Sequence, residues 1–189
     1  MEGQADNTPD AMGESTLLRR CQAGDKDAFG LVVRRYAGRA TGAALLLLGS
    51  HEDALDASQE AFVRAWRHME RFDLNRPFYP WYATILRNVC LSRLRSRTRR
   101  PTYELPDDHP GAGEANPVLL AERNERRDRV WRAVMALKPH HREIIVLCHF
   151  QQLSYREMAA ALEIPIGTVM SRLHTARLAL RETLRDDAP

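Results

Sequence analysis

An all-α fold of two small helical domains joined by a flexible linker is what this sequence predicts, on three observations. Apolar residues recur at helical spacing from about residue 15 to 100, and again from about 118 to 185. No β-type alternation of useful length occurs between or within those stretches. Residues 101–117 differ in kind, mixing Pro101, Pro106, Pro110 and Pro117 with Gly, Asp and Glu in a composition that cannot bury a core. At 189 residues with 44% hydrophobic content, the chain has length for two small domains and the make-up of a folded protein.

The elements follow in order. Residues 1–13 carry Gly, Pro, Asp and Asn without periodicity and read as a disordered tail. A first helix covers about 15–23 and stops at Gly24-Asp25; Asp27 is placed to cap a second, which runs to about Leu48 and ends at Gly49-Ser50. A third spans Asp53 to Arg71, with Leu55, Phe62, Trp66 and Met69 on one apolar face. A fourth runs from Pro80 to about Arg97. The first domain is therefore 14–100, the linker 101–117 and the second domain 118–185.

The second domain carries a helix-turn-helix. Ser154 caps a helix over 155–162 and Glu157 completes a capping box. Pro165 and Gly167 then punctuate the chain, with Thr168 placed to cap the next helix. Val169, Leu173, Ala176 and Leu180 line one face of that helix, while Met170, Ser171, His174 and Arg177 fall opposite. A helix that buries one face and offers polar groups on the other can enter a DNA major groove.

Two further segments carry chemistry. On the third helix Asp53, Asp56 and Glu60 gather opposite the apolar face, joined by Arg64 and Arg67. The stripe is either a solvated face with ion pairs such as Glu60–Arg64 or a docking surface for a basic partner. Residues 72–82 hold five aromatics in eleven positions, with Phe72 and Trp81 read as core and Phe78 and Tyr79 on a loop. Then come Arg87, Asn88, Arg93, Arg95, Arg97, Arg99 and Arg100 with no acid among them. The segment is either a basic tail to a structural helix or a track for single-stranded nucleic acid, where bases stack on the rings while guanidinium groups follow the backbone.

The remaining signals exclude classes. Net charge is only +3, so basic patches are local rather than global. Cys21, Cys90 and Cys148 are odd in number and belong to no CxxC pair, reading as reduced structural thiols of a cytoplasmic protein, with redox sensing or metal binding as the lesser alternative. The polar N-terminus is no signal peptide, and Ala43 to Leu48 is too short to span a bilayer, so no membrane insertion is expected. His140, His141 and His149 lack partnering Cys or carboxylate spacing, and no nucleophile–base set is visible. Neither an enzyme nor a bound metal or cofactor is expected. A two-domain regulator that binds only duplex DNA is the rival reading.

These pieces, in this order, resemble the extracytoplasmic-function (ECF) group of sigma-70 family sigma factors. Asp53-Ala54-Leu55-Asp56-Ala57-Ser58-Gln59-Glu60-Ala61-Phe62-Val63-Arg64-Ala65-Trp66 is similar to that family's region 2.2. Arg76-Pro77-Phe78-Tyr79-Pro80-Trp81 through Arg87-Asn88 is similar to regions 2.3 and 2.4. Leu137-Lys138-Pro139 with Arg142-Glu143 and the helix-turn-helix is similar to region 4. The resemblance implies that Asp53, Asp56, Gln59 and Glu60 dock on the clamp helices of the largest catalytic subunit of core RNA polymerase. It implies that Phe78, Tyr79 and Asn88 melt and capture the promoter −10 element, with Arg87, Arg93 and Arg95 along the DNA backbone. It implies that Thr168, Ser171, Arg172, His174 and Arg177 read the −35 duplex, with the second domain near the flap of the second subunit. The linker would thread toward the polymerase cleft, and an anti-sigma factor would be a further partner. Met170 and Thr175 stand where family members often carry basic residues.

Overall fold

The structure, a computed structural model, describes residues 13–99 and 117–186. Residues 1–12, 100–116 and 187–189 lie outside the described residues, and with them nearly all of the expected tail and linker. Among the described residues every regular element is helical.

The first unit contains α1 (Glu14–Gln22), α2 (Lys26–Leu48), α3 (His51–His68) with a 3₁₀ turn (Met69–Arg71), and α4 (Phe78–Arg99). Asp25, rather than Asp27, caps α2: its carboxylate accepts from the Ala28 N–H at 2.9 Å. Asp27 lies inside the first turn, where its charge still complements the helix dipole. Gly49 ends α2 at φ 77°, a left-handed conformation that costs glycine nothing. Ser50 then caps α3 by accepting from Asp53 N–H at 3.3 Å.

α2 packs most extensively on α3, and the packing is built from small side chains. Ala40, Ala43 and Ala44 of α2 and Ala54, Ala57, Ala61 and Ala65 of α3 are fully buried, which lets the two backbones approach closely. This shifts the buried face of α3 toward its alanines. Phe62 and Met69 are buried as expected, and Trp66 is half-buried. Leu55, expected in that face, is 41% exposed. The buried arc is centred on the alanines, so Phe62 and Met69 fall inside it and Leu55 falls outside. An aromatic core closes the unit: Phe62 stacks on Tyr82 at 4.4 Å, and the Tyr82 hydroxyl donates to Ser58 O at 3.3 Å.

The second unit contains α5 (Pro117–Ala136), α6 (Pro139–Ile145) running into a π-helical turn (Val146–Phe150), α7 (Tyr155–Leu162) and α8 (Ile166–Asp186). Ile144, Ile145, Val146 and Leu147 are buried, as are Val169, Leu173 and Ala176 of α8, and α6 packs against α8. The π turn is marked by the Gln151 N–H donating to Val146 O at 2.9 Å, five residues back. The chain then turns through Gln152 at φ 48°.

The units are in contact. α2 touches α5, α6 and the π turn, and buried apolar residues of both units form one contiguous cluster.

Candidate nucleic-acid and partner interfaces

The acidic stripe lies on the exposed side of α3. Asp56 is its most open carboxylate, at 60% side-chain exposure, and Gln59 is exposed beside it. The carboxylates are tied to α4: Arg93 places Nη1 3.6 Å from Asp53 Oδ1 and 3.6 Å from Asp56 Oδ2, and Nη2 3.1 Å from Glu60 Oε2. Arg97 also pairs with Asp53 and donates to Leu48 O at 3.2 Å. Arg64 reaches the other oxygen of Glu60, as the helical spacing suggested. Burial works to raise the Glu60 carboxyl, but hydrogen bonds from Arg93 and Arg64 outweigh it and hold it below the usual carboxylate range.

Sequence reasoning missed the apolar border of this stripe. Val63 is 49% exposed, and with Lys26, Phe29, Val33, Gln59, Phe62 and Trp66 it lines a mostly apolar groove of about 470 Å³. Val63 and Leu55 lie eight residues apart on α3, a spacing that keeps them on one flank. That pattern was visible, but periodicity alone assigns such residues to a core.

The aromatic segment differs from the expected loop. α4 begins at Phe78, so neither Phe78 nor Tyr79 is on a loop, and both are buried. Phe78 packs among Tyr36, Phe72, Trp81 and Tyr82 at centroid distances of 5.6–5.9 Å. Tyr79 lies under Arg39, whose guanidinium carbon sits 3.8 Å from the ring centroid. Burial pushes the Tyr79 phenol up to about 12, and its hydroxyl has no hydrogen-bond partner. Pro80 does not start the helix; it occupies the first turn, where a missing N–H costs no intrahelical bond.

The arginine track is divided between partners. Arg87 donates through Nε to Glu143 of the second unit at 2.7 Å, with side chains only 16% and 15% exposed. Its Nη1 also donates to Asn88 Oδ1 at 3.1 Å, and Asn88 itself is exposed. Arg93 is folded onto α3 rather than pointed outward, whereas Arg95 is exposed.

The helix-turn-helix is built as its residues dictate. The Ser154 hydroxyl accepts from Glu157 N–H at 3.3 Å, and the Glu157 carboxylate accepts from Ser154 N–H at 2.7 Å. The first helix ends at Glu163, held at φ 54°. α8 begins at Ile166, so Thr168 lies inside its first turn rather than capping it. On the outer face Met170 is 54% exposed, and Ser171, His174 and Thr175 are exposed with it. Arg172 is half-buried and lines a groove of about 430 Å³ with His140, His141, Ser171 and Thr175. Neither histidine of that groove was singled out as a contact from sequence. Arg177 leans back onto its own unit, donating to His149 Nε2 at 3.3 Å and lying 3.7 Å from Cys148 Sγ. Burial and the adjacent Arg177 charge keep His149 below the usual imidazole range, as an acceptor nitrogen requires.

Among the described residues no group of three His, Cys, Asp or Glu could hold a metal ion, and no helix is long and apolar enough to cross a membrane.

Comparison with known proteins agrees with this arrangement. Residues 32–100 match the sigma-70 region 2 family and residues 127–180 match sigma-70 region 4. The chain is 32% identical to the ECF RNA polymerase sigma factor SigW of Bacillus subtilis, over 89% of this chain and 95% of that protein. It is 34% identical to the ECF RNA polymerase sigma-E factor of Escherichia coli K12, over 88% and 92% respectively. Among solved structures, CnrH in complex with the cytosolic domain of CnrY superimposes with a TM-score of 0.69 at 28% identity, covering 93% of this chain and 99% of that one. The sigma factor RpoE of Bartonella quintana, solved with the anti-sigma factor NepR, gives a TM-score of 0.69 at 26% identity, covering 85% and 98%. Two matched regions in the right order, on a helical scaffold shared with these relatives, place the chain in the ECF group of sigma-70 family RNA polymerase sigma factors.

Proposed function

We propose that this sigma factor divides its work among three faces: Asp53, Asp56, Gln59 and Glu60 dock core RNA polymerase, α4 handles the −10 element, and α8 reads the −35 duplex. The observation that carries the reading is the outward face of α8, where Met170, Ser171 and His174 stand exposed opposite buried Val169, Leu173 and Ala176. That is the geometry of a recognition helix entering a major groove. Thr168 and Arg172 flank the same face, and Arg177 joins it once released from His149. On α4, exposed Asn88 and Arg95 are the groups free to meet DNA, with Arg87 joining when it leaves Glu143. Phe78 and Tyr79 act as core that anchors the start of α4 rather than as a stacking platform, because both rings are already packed.

The domain plan of 14–100 and 118–185 joined through 101–117 supports this division, since the two promoter elements are separate sites on the DNA. The flap of the polymerase's second subunit is the surface for the second domain. An anti-sigma factor is the natural repressor, by analogy with the Bartonella relative held by NepR. The chain acts as a non-catalytic subunit in the cytoplasm, where the polymerase and the chromosome are.

The test is a gel shift at moderate salt, with and without core polymerase, followed by transcription in vitro. The expected result is weak binding alone and selective transcription from an asymmetric promoter with core. Tight binding by the lone protein to an inverted repeat would falsify the reading.

A further inference from the structure

The acidic stripe of α3 poses a physical problem. Asp53, Asp56 and Glu60 are spaced three and four residues apart, so their carboxylates crowd one flank and repel one another. Left alone, the three side chains would splay and sample several rotamers, and a partner would have to order them on docking. Arg93 offsets that repulsion from the neighbouring helix, with Arg97 of the same helix also on Asp53. Its side chain is 27% exposed, and its guanidinium faces all three carboxylates at 3.6, 3.6 and 3.1 Å. The planar fork hydrogen-bonds Glu60 through one nitrogen while setting the other between the two aspartates, an orientation that a point charge on a flexible stem does not fix. Arg64 holds the second oxygen of Glu60. Asp56 remains the most open of the three at 60% exposure and is the carboxylate left to meet a basic partner.

We propose that Arg93 is a positioning residue for polymerase docking: it preorganises the carboxylates of α3 and does not contact promoter phosphate. The proposal rests on the assignment of the α3 stripe to core polymerase. It also departs from the expectation that Arg93 runs along the −10 DNA backbone, because its guanidinium is turned toward the three carboxylates of α3.

The full chain carrying Arg93→Gln is titrated against core polymerase, with helicity and melting followed in parallel. Promoter binding by the assembled complex is then measured across a salt series. The expected result is a roughly ten-fold weaker core affinity from lost preorganisation, with the salt slope of promoter binding unchanged. A salt slope lower by about one marks a lost phosphate contact and overturns the proposal. Core affinity that is unchanged or tighter also overturns it. If the Gln variant loses helicity, Arg93→Lys carries the test; keeping the charge but not the fork, it weakens core binding by roughly three-fold, and wild-type affinity overturns the proposal. Asp56→Lys separates the two levels. If Asp56→Lys weakens core binding while the Arg93 variants do not, the positioning role alone fails. If Asp56→Lys binds core like wild type, the docking assignment itself fails.

Discussion

Cys21 and Cys90 show at the residue scale how burial decides chemistry. Desolvation pushes the Cys21 thiol up to about 11 and the Cys90 thiol up to about 12, so almost no thiolate exists at neutral pH. Cys148 is partly exposed. Alkylation of the native protein is therefore expected to modify Cys148 first, with Cys21 and Cys90 reacting only on unfolding. Mass spectrometry after a timed iodoacetamide pulse reads this, and early modification of Cys90 would contradict the buried placement. Arg172 offers a second residue-level check. It lines the groove between α6 and α8, so Arg172→Ala is expected to cost about 1–3 kcal/mol of −35 binding and relax preference at one position if it reads a base. Competition binding with the assembled polymerase complex on single-base promoter variants measures this. An equal loss on every sequence would make it a phosphate contact. Both features differ in legibility. The thiols' isolation was readable from spacing, whereas the groove around Arg172 was not, because His140 and His141 come from a helix some thirty residues upstream.

At the scale of the element, local chemistry was the most readable part of the chain. Ser154 and Glu157 form their capping box as spaced, and Ser154→Ala is expected to cost about 1 kcal/mol of stability. Thermal unfolding followed by circular dichroism checks it, and an unchanged midpoint would mean the cap is replaced by solvent. Gly49 makes a stronger prediction, because a Cβ there would meet Met135 Cε at 3.0 Å as well as strain a φ of 77°. Gly49→Ala is expected to destabilise by more than about 1 kcal/mol, read by the same melt. Helix existence was legible because each helix buries one stripe, and the period of that stripe survives in the sequence. Its rotational setting was less legible. Leu55 is exposed because the alanines of α2 and α3 draw that helix round, a choice made by the partner helix rather than by α3 itself. Helix starts differ from the expected ones by two residues where several candidates stand together, as at Asp25 and Asp27 or at Phe78 and Pro80. The π turn at Val146–Phe150 left no mark, since one extra residue per turn within an apolar run changes no visible period.

For the whole molecule, the contact between the two units bears most directly on function. Arg87 and Glu143 are 56 residues apart in sequence, yet they form a pair at 2.7 Å that is largely shielded from water. Arg39 supports the same contact by donating to Phe150 O at 3.4 Å and to Gln151 O, where the π turn ends. Nothing in a single sequence announces such a pair, because neither residue breaks the pattern of its own helix. Its consequence follows from that shielding. With its side chain only 16% exposed and its donors turned to Glu143 and Asn88, Arg87 offers little surface to a DNA phosphate, so engaging the −10 element through Arg87 would require the units to part. Glu143→Gln keeps the side-chain volume and an acceptor oxygen but removes the counter-charge, and leaving the shielded Arg87 charge with only neutral acceptors is expected to weaken the inter-unit contact by about 1–3 kcal/mol. Distance measurements between spin labels on α3 and α8 of the free protein should show a longer and broader distribution in this variant. Arg39→Ala should act in the same direction, since it removes the donors from the Phe150 and Gln151 carbonyls without touching Arg87. If either variant kept the wild-type distance distribution, the apolar cluster shared by the units would be holding them together without help from these ions. Glu143→Gln should also raise the free protein's affinity for single-stranded −10 DNA, because the competitor for Arg87 is weakened. Fluorescence anisotropy on a labelled oligonucleotide measures that, and equal affinities for the two proteins would show that Arg87 plays no part in the capture.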